Sequence, residues 1–306
     1  MTRARVLLLV PAATYRAGDF LLAANRLELD VVIGSDGAVP IGDQVVVRVD
    51  PDDLEQSVDR LVPRVGALDA VVAADTPMLP LAAAVSARMD LCHNSVHSVA
   101  AATSKVLQRR LWAAAGIPQP LFRVVPAGTD YDTLATLTAE VGFPCVVKPV
   151  SLSRSRGVLR ADDLAGVASS VRRVRGVLAE AGRPNDEPLL VEEYLSGPEV
   201  SVDGLLRDGS LMVTAMFDKP DSPAGPTFEE TLLVTPSRLP DRVLASVIGT
   251  AGPRRARPGA PTGPHPRGAA HARPRRQSAA IDARARGTVD RRSLLTRPPL
   301  PGRYEP

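Results

Sequence analysis

The stretch "GFPCVVKPVSLSRSRGV", residues 142–158, opens as a turn and continues as an apolar strand with Lys148 at its centre. It then runs into a loop of serine, arginine and glycine. A lysine in mid-strand is seldom buried without a partner. Taken alone, the strand therefore fits an edge position, with Lys148 in water, as well as it fits an interior one. The loop shifts that balance. "SLSRSRG" supplies hydroxyls, guanidinium groups and, at Gly157, a backbone that can approach a ligand closely. Such a loop can turn its N–H groups toward an anion. Some forty residues on, "VEEYLSGPEVSVDG" (191–204) sets two acids beside Tyr194 and Leu195 and a third, Glu199, just beyond. Acids so placed can accept from an exocyclic amine and from hydroxyls, and a lysine can serve phosphates.

Outward from this stretch, the N-terminal third has the short β-branched runs "RVLLLVP" (5–11), "DVVIGSD" (30–36), "QVVVRVD" (44–50) and "LDAVVAADT" (68–76). Segments with apolar residues at helical spacing lie between them, a pattern that predicts a parallel sheet with helices on its faces. The first turn, "PAATYRAGDF", lacks G-x-G-x-x-G, so no dinucleotide site of that kind is expected. "SVHSVAAATSKVLQRRLWAAAGIPQP" (95–120) predicts one helix stopped by Gly116 and Pro118, followed by a strand at "FRVV" and a helix over "YDTLATLTAEVGF". "ADDLAGVASSVRRVRGVLAEAG" predicts a helix capped by Asp162. Residues 188–220 alternate as an antiparallel sheet does, with a hairpin turn at Asp208-Gly209, and a last helix begins near Pro236.

Composition narrows the function classes. The apolar fraction of 44% supports real cores, and no apolar run reaches membrane-spanning length. The N-terminal apolar run is short and ends at Pro11, so it reads as a first strand rather than a secretory signal. Cys92 and Cys145 lack metal-ligand spacing and predict core thiols of a cytoplasmic protein. The net charge of +3 is misleading: residues 251–306 hold 13 Arg and 3 acids, leaving 24 basic and 31 acidic residues in the first 250. The body is thus mildly acidic, and no attraction to nucleic acid is expected of it.

Residues from about 100 to 248 resemble the ATP-grasp family, and 1–95 resemble the Rossmann-like domain that commonly precedes it. The strings that carry the likeness are "SKVLQRRLWAAAGIPQP", "GFPCVVKPVSLSRSRGV", "VEEYLSGPEVSVDG" and "MFDKP" with "TFEET", in that order. The resemblance implies an α/β chain: a Rossmann-like parallel-sheet domain (1–98), an ATP-grasp lid subdomain (99–184) and a central-sheet subdomain (185–250), incomplete at the C-terminus. It implies that Lys105 and Lys148 meet nucleotide phosphates, and that Ser151, Ser153, Ser155, Arg156 and Gly157 belong to a lid over them. It further implies that Glu192, Glu193, Tyr194 and Leu195 form the adenine hinge and that Glu199 holds the ribose. Arg154 stands where the lid often has a small residue, and either a phosphate contact or a solvated role fits it. Lys219 and Glu229–Glu230 fit the substrate side or solvated loop charges equally well. The implied cofactors are ATP and Mg²⁺, and the implied reaction joins a small-molecule carboxylate to an amine through an acyl phosphate. "EEYLSGPEVSVDG" and "FDKP" resemble most the biotin-carboxylase-like and amino-acid-ligase-like branches. A homodimer is compatible with the resemblance, and a membrane partner is not expected.

The family's distal metal-binding motifs should follow residue 250 and do not. Residues 251–306 carry ten prolines and thirteen arginines, which predicts a disordered tail without helix or strand. A basic arm, a plain extension and a shifted reading frame all fit that composition. Read one base later with permitted codons, 262–270 allow "QGPIHAEL" and 280–297 allow "PSMLELAARSIGGLCS", both family-like and in order. A frameshift with onset between Gly249 and Arg254 is therefore the favoured reading. It predicts a chain that binds ATP, is impaired in catalysis and exposes an unpaired sheet edge within 200–248. The alternative from another class is a non-catalytic nucleotide-binding protein whose basic arm recruits an anionic partner.

Overall fold

A computed structural model of the chain describes residues 3–38, 46–153, 155–207, 210–220, 225–228, 232–251 and 279–281. The chain divides into a first compact unit over Met1–Leu111 with Arg275–Ala279 and a second over Trp112–Pro274 with Ala280–Pro306. Among the described residues no helix is long and apolar enough to cross a membrane.

In the first unit, β1 (Arg5–Val10), β2 (Asp30–Ser35), β3 (Val46–Arg48) and β4 (Ala70–Ala73) form a parallel sheet in the order β3-β2-β1-β4. Each strand is a β-branched run bounded by turn residues, as the alternation predicted. The connecting helices are α1 (Ala17–Arg26), α2 (Leu54–Val65) and α3 (Leu79–Arg88). Asp53 caps α2 by accepting from Gln56 N. Leu7, Leu9, Leu61, Met78, Leu81 and Val85 are fully buried and join sheet to helices. Each such side chain contributes about 1.5–3 kcal/mol.

The single helix expected over 95–120 is two helices. α4 (Val96–Thr103) ends at Ser104, which is extended (φ −110°, ψ 112°), and α5 (Lys105–Ala114) starts afresh. Ser104 Oγ accepts from Leu107 N at 3.4 Å. A serine hydroxyl offers the backbone this cap as an alternative to continued helix. Helical periodicity on both sides conceals the break.

The second unit holds an antiparallel sheet in the order β5-β8-β6-β7: β5 (Phe122–Val125), β6 (Cys145–Pro149), β7 (Leu159–Ala161) and β8 (Leu189–Glu193). β8 inserts between β5 and β6. Sequence order alone does not reveal that insertion. α6 (Tyr131–Val141) and α7 (Leu164–Glu180) cover one face. Their Leu134, Val141, Val167, Val174 and Leu178 pack on Cys145, Val147, Leu189 and Val191. The cap of α7 is Asp163, whose side chain accepts from Gly166 N, and not Asp162. Asp162 instead receives Arg160 at 2.8 Å.

β9 (Glu199–Arg207) and β10 (Ser210–Lys219) pair as an antiparallel hairpin from Ser210↔Arg207 to Lys219↔Glu199, with an irregularity between Val213 and Ala215. The expected turn residues 208 and 209 lie outside the described residues. α8 (Asp241–Ala251) lays Val243 and Val247 on Val200 and Val202. A short strand, β11 (Ala279–Ile281), flanks β9 on its other side. This corrects the expectation of a tail without any strand, while β10 remains at the edge of its sheet. "AAI" is an uncharged apolar triplet in an arginine-rich segment, and an open edge accepts such a strand. Elsewhere the tail lies outside the described residues.

Candidate functional site

Strand alternation sends Cys145 and Val147 of β6 under the helices, and Val146 and Lys148 to the opposite face. There Val146 packs with Val158, Phe228 and Tyr194. Antiparallel register sets Lys148 opposite Leu190, Val146 opposite Glu192 and Val146 opposite Arg160. Lys148, Glu192 and Arg160 thus share the helix-free face.

β6 is an interior strand, which settles the two readings of Lys148. Its side chain is 9% exposed and that of Glu192 5%, and Lys148 Nζ donates to Glu192 Oε2. The two sit diagonally across neighbouring strands, a spacing long side chains can bridge. Each removes the other's uncompensated buried charge. Glu193 is half-buried, with Oε2 accepting from Leu121 N at 3.2 Å. Tyr194 N donates to Pro144 O at 3.2 Å, fixing the segment that runs into Leu195. The Arg160 guanidinium lies 4.6 Å from the Tyr194 ring centroid, and Tyr194 tilts against Phe228 with centroids 6.1 Å apart. A cation over an aromatic face strengthens such a contact.

The loop after β6 stays close to its own strand. Gly157 has φ +72°, and a Cβ there would sit 3.4 Å from Pro149. Its backbone thus takes a conformation that other L-residues rarely adopt. Ser153 and Arg156 are exposed, Ser155 is half-buried with φ 56°, and Arg154 lies outside the described residues. Ser151 is already engaged: its N–H donates to Glu187 Oε1 at 2.8 Å and its hydroxyl to Glu187 Oε2 at 2.6 Å. Nothing in the sequence separates Glu187 from its solvated neighbour Asp186, so reading the sequence missed it. Arg160 was missed too, since its face follows only from register.

Glu199 and Lys219 face each other at the open end of the hairpin. Lys219 Nζ donates to Glu199 Oε1 at 2.7 Å, with side-chain exposures of 11% and 17%. Lys219 is therefore not a solvated loop charge; Glu229 and Glu230 lie outside the described residues. Lys105 is half-buried as the first residue of α5, in the first unit. Cys145 is buried as expected, and that burial, reinforced by Asp162, pushes its thiol up to about 11. Cys92 is exposed, beyond the end of α3, and is no core thiol. Among the described residues no group of three or more His, Cys, Asp or Glu side chains could hold a metal ion.

Residues 141–251 match the model of the ATP-grasp domain. A D-alanine–D-alanine ligase of Alcanivorax borkumensis is 32% identical over 118 residues, which are 39% of this chain and 33% of that one. An alanine–anticapsin ligase of Bacillus subtilis is 24% identical over 215 residues, 64% of this chain and 44% of that one. The chain thus spans between a third and under half the length of these two relatives. In fold it is similar to an L-amino acid ligase from Bacillus licheniformis, with TM-score 0.65 and 22% identity, covering 82% of this chain and 60% of that structure.

Proposed function

We propose, for a chain that is a member of the ATP-grasp superfamily through residues 141–251, that the helix-free face of the β5–β8 sheet binds ATP in support of carboxylate–amine ligation. The carrying observation is the buried Lys148–Glu192 pair beside the Gly157-ended loop. An ammonium at that position can donate a charge-assisted hydrogen bond to a phosphate while Glu192 keeps it oriented. The lid residues Ser153, Ser155, Arg156 and Gly157 are assigned to the phosphates. The segment Glu192–Leu195 is assigned to the adenine edge, with Tyr194 and Phe228 as its apolar wall, and Glu199 to the ribose.

In the reaction this implies, a carboxylate oxygen of an amino-acid or peptide-like substrate attacks the γ-phosphorus and ADP leaves. An amine then attacks the acyl carbon, the amide bond forms and phosphate is released. Phosphoryl transfer of this kind depends on position and charge neutralisation more than on covalent help. Mg²⁺, held by one or two carboxylates and by the phosphates themselves, would share that neutralisation.

The Arg- and Pro-rich composition of 251–306 supports a frame-shifted end. The chain as written is then a nucleotide binder with little or no ligase turnover. Sequencing the gene decides this, and in-frame coding without an alternative ends it. The same 13 arginines support the second reading, a non-catalytic binder that recruits an anionic partner. Deleting 251–306 leaves anion binding unchanged under the first reading and abolishes it under the second. The function itself is tested by titrating the chain with ATP, AMP and adenosine. Tightest binding of ATP is expected, and a chain that binds no adenine nucleotide overturns the assignment.

A further inference from the structure

We infer that Glu187 is the anchor that fixes the root of the 151–157 loop, and through that root sets how firmly the chain grips the polyphosphate part of a nucleotide. The inference rests on the nucleotide reading above. Glu187 Oε1 accepts from Val150 N at 2.9 Å and from Ser151 N at 2.8 Å, while Oε2 accepts from the Ser151 hydroxyl at 2.6 Å. Both oxygens of one carboxylate are thus turned on the two residues where the chain leaves β6.

Glu187 is itself held from behind. Arg175 of α7 donates to the main-chain oxygen of Glu187 and, at 3.0 Å, to that of Asn185. Arg183 Nε reaches the Ser151 hydroxyl at 3.3 Å. Helix α7, the connection before β8 and the loop root are therefore tied together. Beyond Ser151, the loop's local bonds are those of short turns, Arg156 N to Ser153 O at 3.2 Å and Val158 N to Ser155 O at 3.1 Å.

The β8 ladder has no need of this carboxylate, because pairing with β6 starts at Leu189↔Pro149. Its acceptors are spent on backbone donors 36 and 37 residues away. A carboxylate holding two N–H groups resists rotation of the peptides that carry them, so the next donors along the loop keep their aim. Glu187 is a positioning residue here: it touches the loop root and acts on phosphate through it.

The test uses the full chain with Glu187→Ala and Glu187→Gln. Tryptic cleavage at Arg156–Gly157 reads the anchor without any nucleotide, and the ratio of ATP to AMP affinity reads its effect on the phosphates. Glu187→Ala is expected to raise the cleavage rate and to lower ATP affinity by about tenfold each, with AMP affinity unchanged. Glu187→Gln keeps an oxygen for both N–H groups and should stay within about threefold of the parent. Unchanged cleavage in Glu187→Ala overturns the anchor. Equal loss of ATP and AMP affinity overturns the positioning role in favour of general destabilisation. Faster cleavage in a chain whose parent binds ATP no better than AMP upholds the anchor and overturns the nucleotide reading beneath the grip.

Discussion

Replacing Lys148 by Met separates two roles that the buried pair combines. The substitution removes an ammonium whose partner, Glu192, is 4% exposed. A carboxylate left buried and unpaired costs about 3–5 kcal/mol. For a unit of this size, about 2–4 °C of melting temperature accompanies each kcal/mol. Lys148→Met should therefore lower the transition of the second unit by roughly 10 °C in scanning calorimetry. The double variant Lys148→Met/Glu192→Leu removes the orphaned charge as well, and apolar replacement of a whole buried pair is often neutral or better. Its melting temperature should return to within about 3 °C of the parent. Nucleotide affinity should not return with it. A charged hydrogen bond to phosphate is worth about 1.5–3 kcal/mol, so both variants should bind ATP roughly 10- to 100-fold more weakly. If the single variant melts with the parent, the pair is not desolvated as described. If the well-folded double variant binds ATP as the parent does, Lys148 does not serve phosphate and the proposed function falls with it.

Three further outcomes follow from particular contacts. Asp163→Ala should destabilise α7 by about 1 kcal/mol in thermal melting, whereas Asp162→Ala should leave that helix unchanged; the reverse result would restore the cap to Asp162. Cys145 has its thiol raised from 9.0 to about 11 by burial. Between those values the folded chain retains a proton that the unfolded chain has released, so stability should fall as pH rises from about 9 to 11, by on the order of 2 kcal/mol. Cys145→Val should remove that alkaline slope in pH-dependent melting, and an unchanged slope refutes its origin in the thiol. Lys219→Met should weaken ATP and adenosine alike if Glu199 reads the ribose, since Glu199 loses the donor that orients it at 2.7 Å; an unchanged adenosine affinity refutes that role.

Much of the fold was legible because β-branched runs and turn residues mark strands locally. Leu7 to Val10, Val31 to Ile33 and Cys145 to Val147 announce themselves whatever surrounds them. The four strings that carry the family likeness fall on α5, on β6 with its loop, on β8 into β9 and on β10 into the segment beyond. What stayed hidden is relational. Lys148 meets Glu192 only because β8 lies beside β6, and the sequence does not say which strands are neighbours. Glu187 reaches Ser151 from a polar stretch indistinguishable from an ordinary solvated turn. Ser104 interrupts a helix whose apolar spacing continues on both sides, and Asp162 and Asp163 are equivalent as caps until φ and ψ choose between them.

The alternation along Cys145–Pro149 also makes that strand a parity device. Odd positions belong to the greasy underside and even positions to the working side, so the ammonium's address depends on counting. Deleting one residue between Cys145 and Val147 would swap the two sides at a stroke. The charge would be driven among aliphatic side chains beneath α6 and α7, and Pro149 would be left where phosphate is to be met. This strand should therefore tolerate exchanges of one aliphatic side chain for another far better than any change in its length.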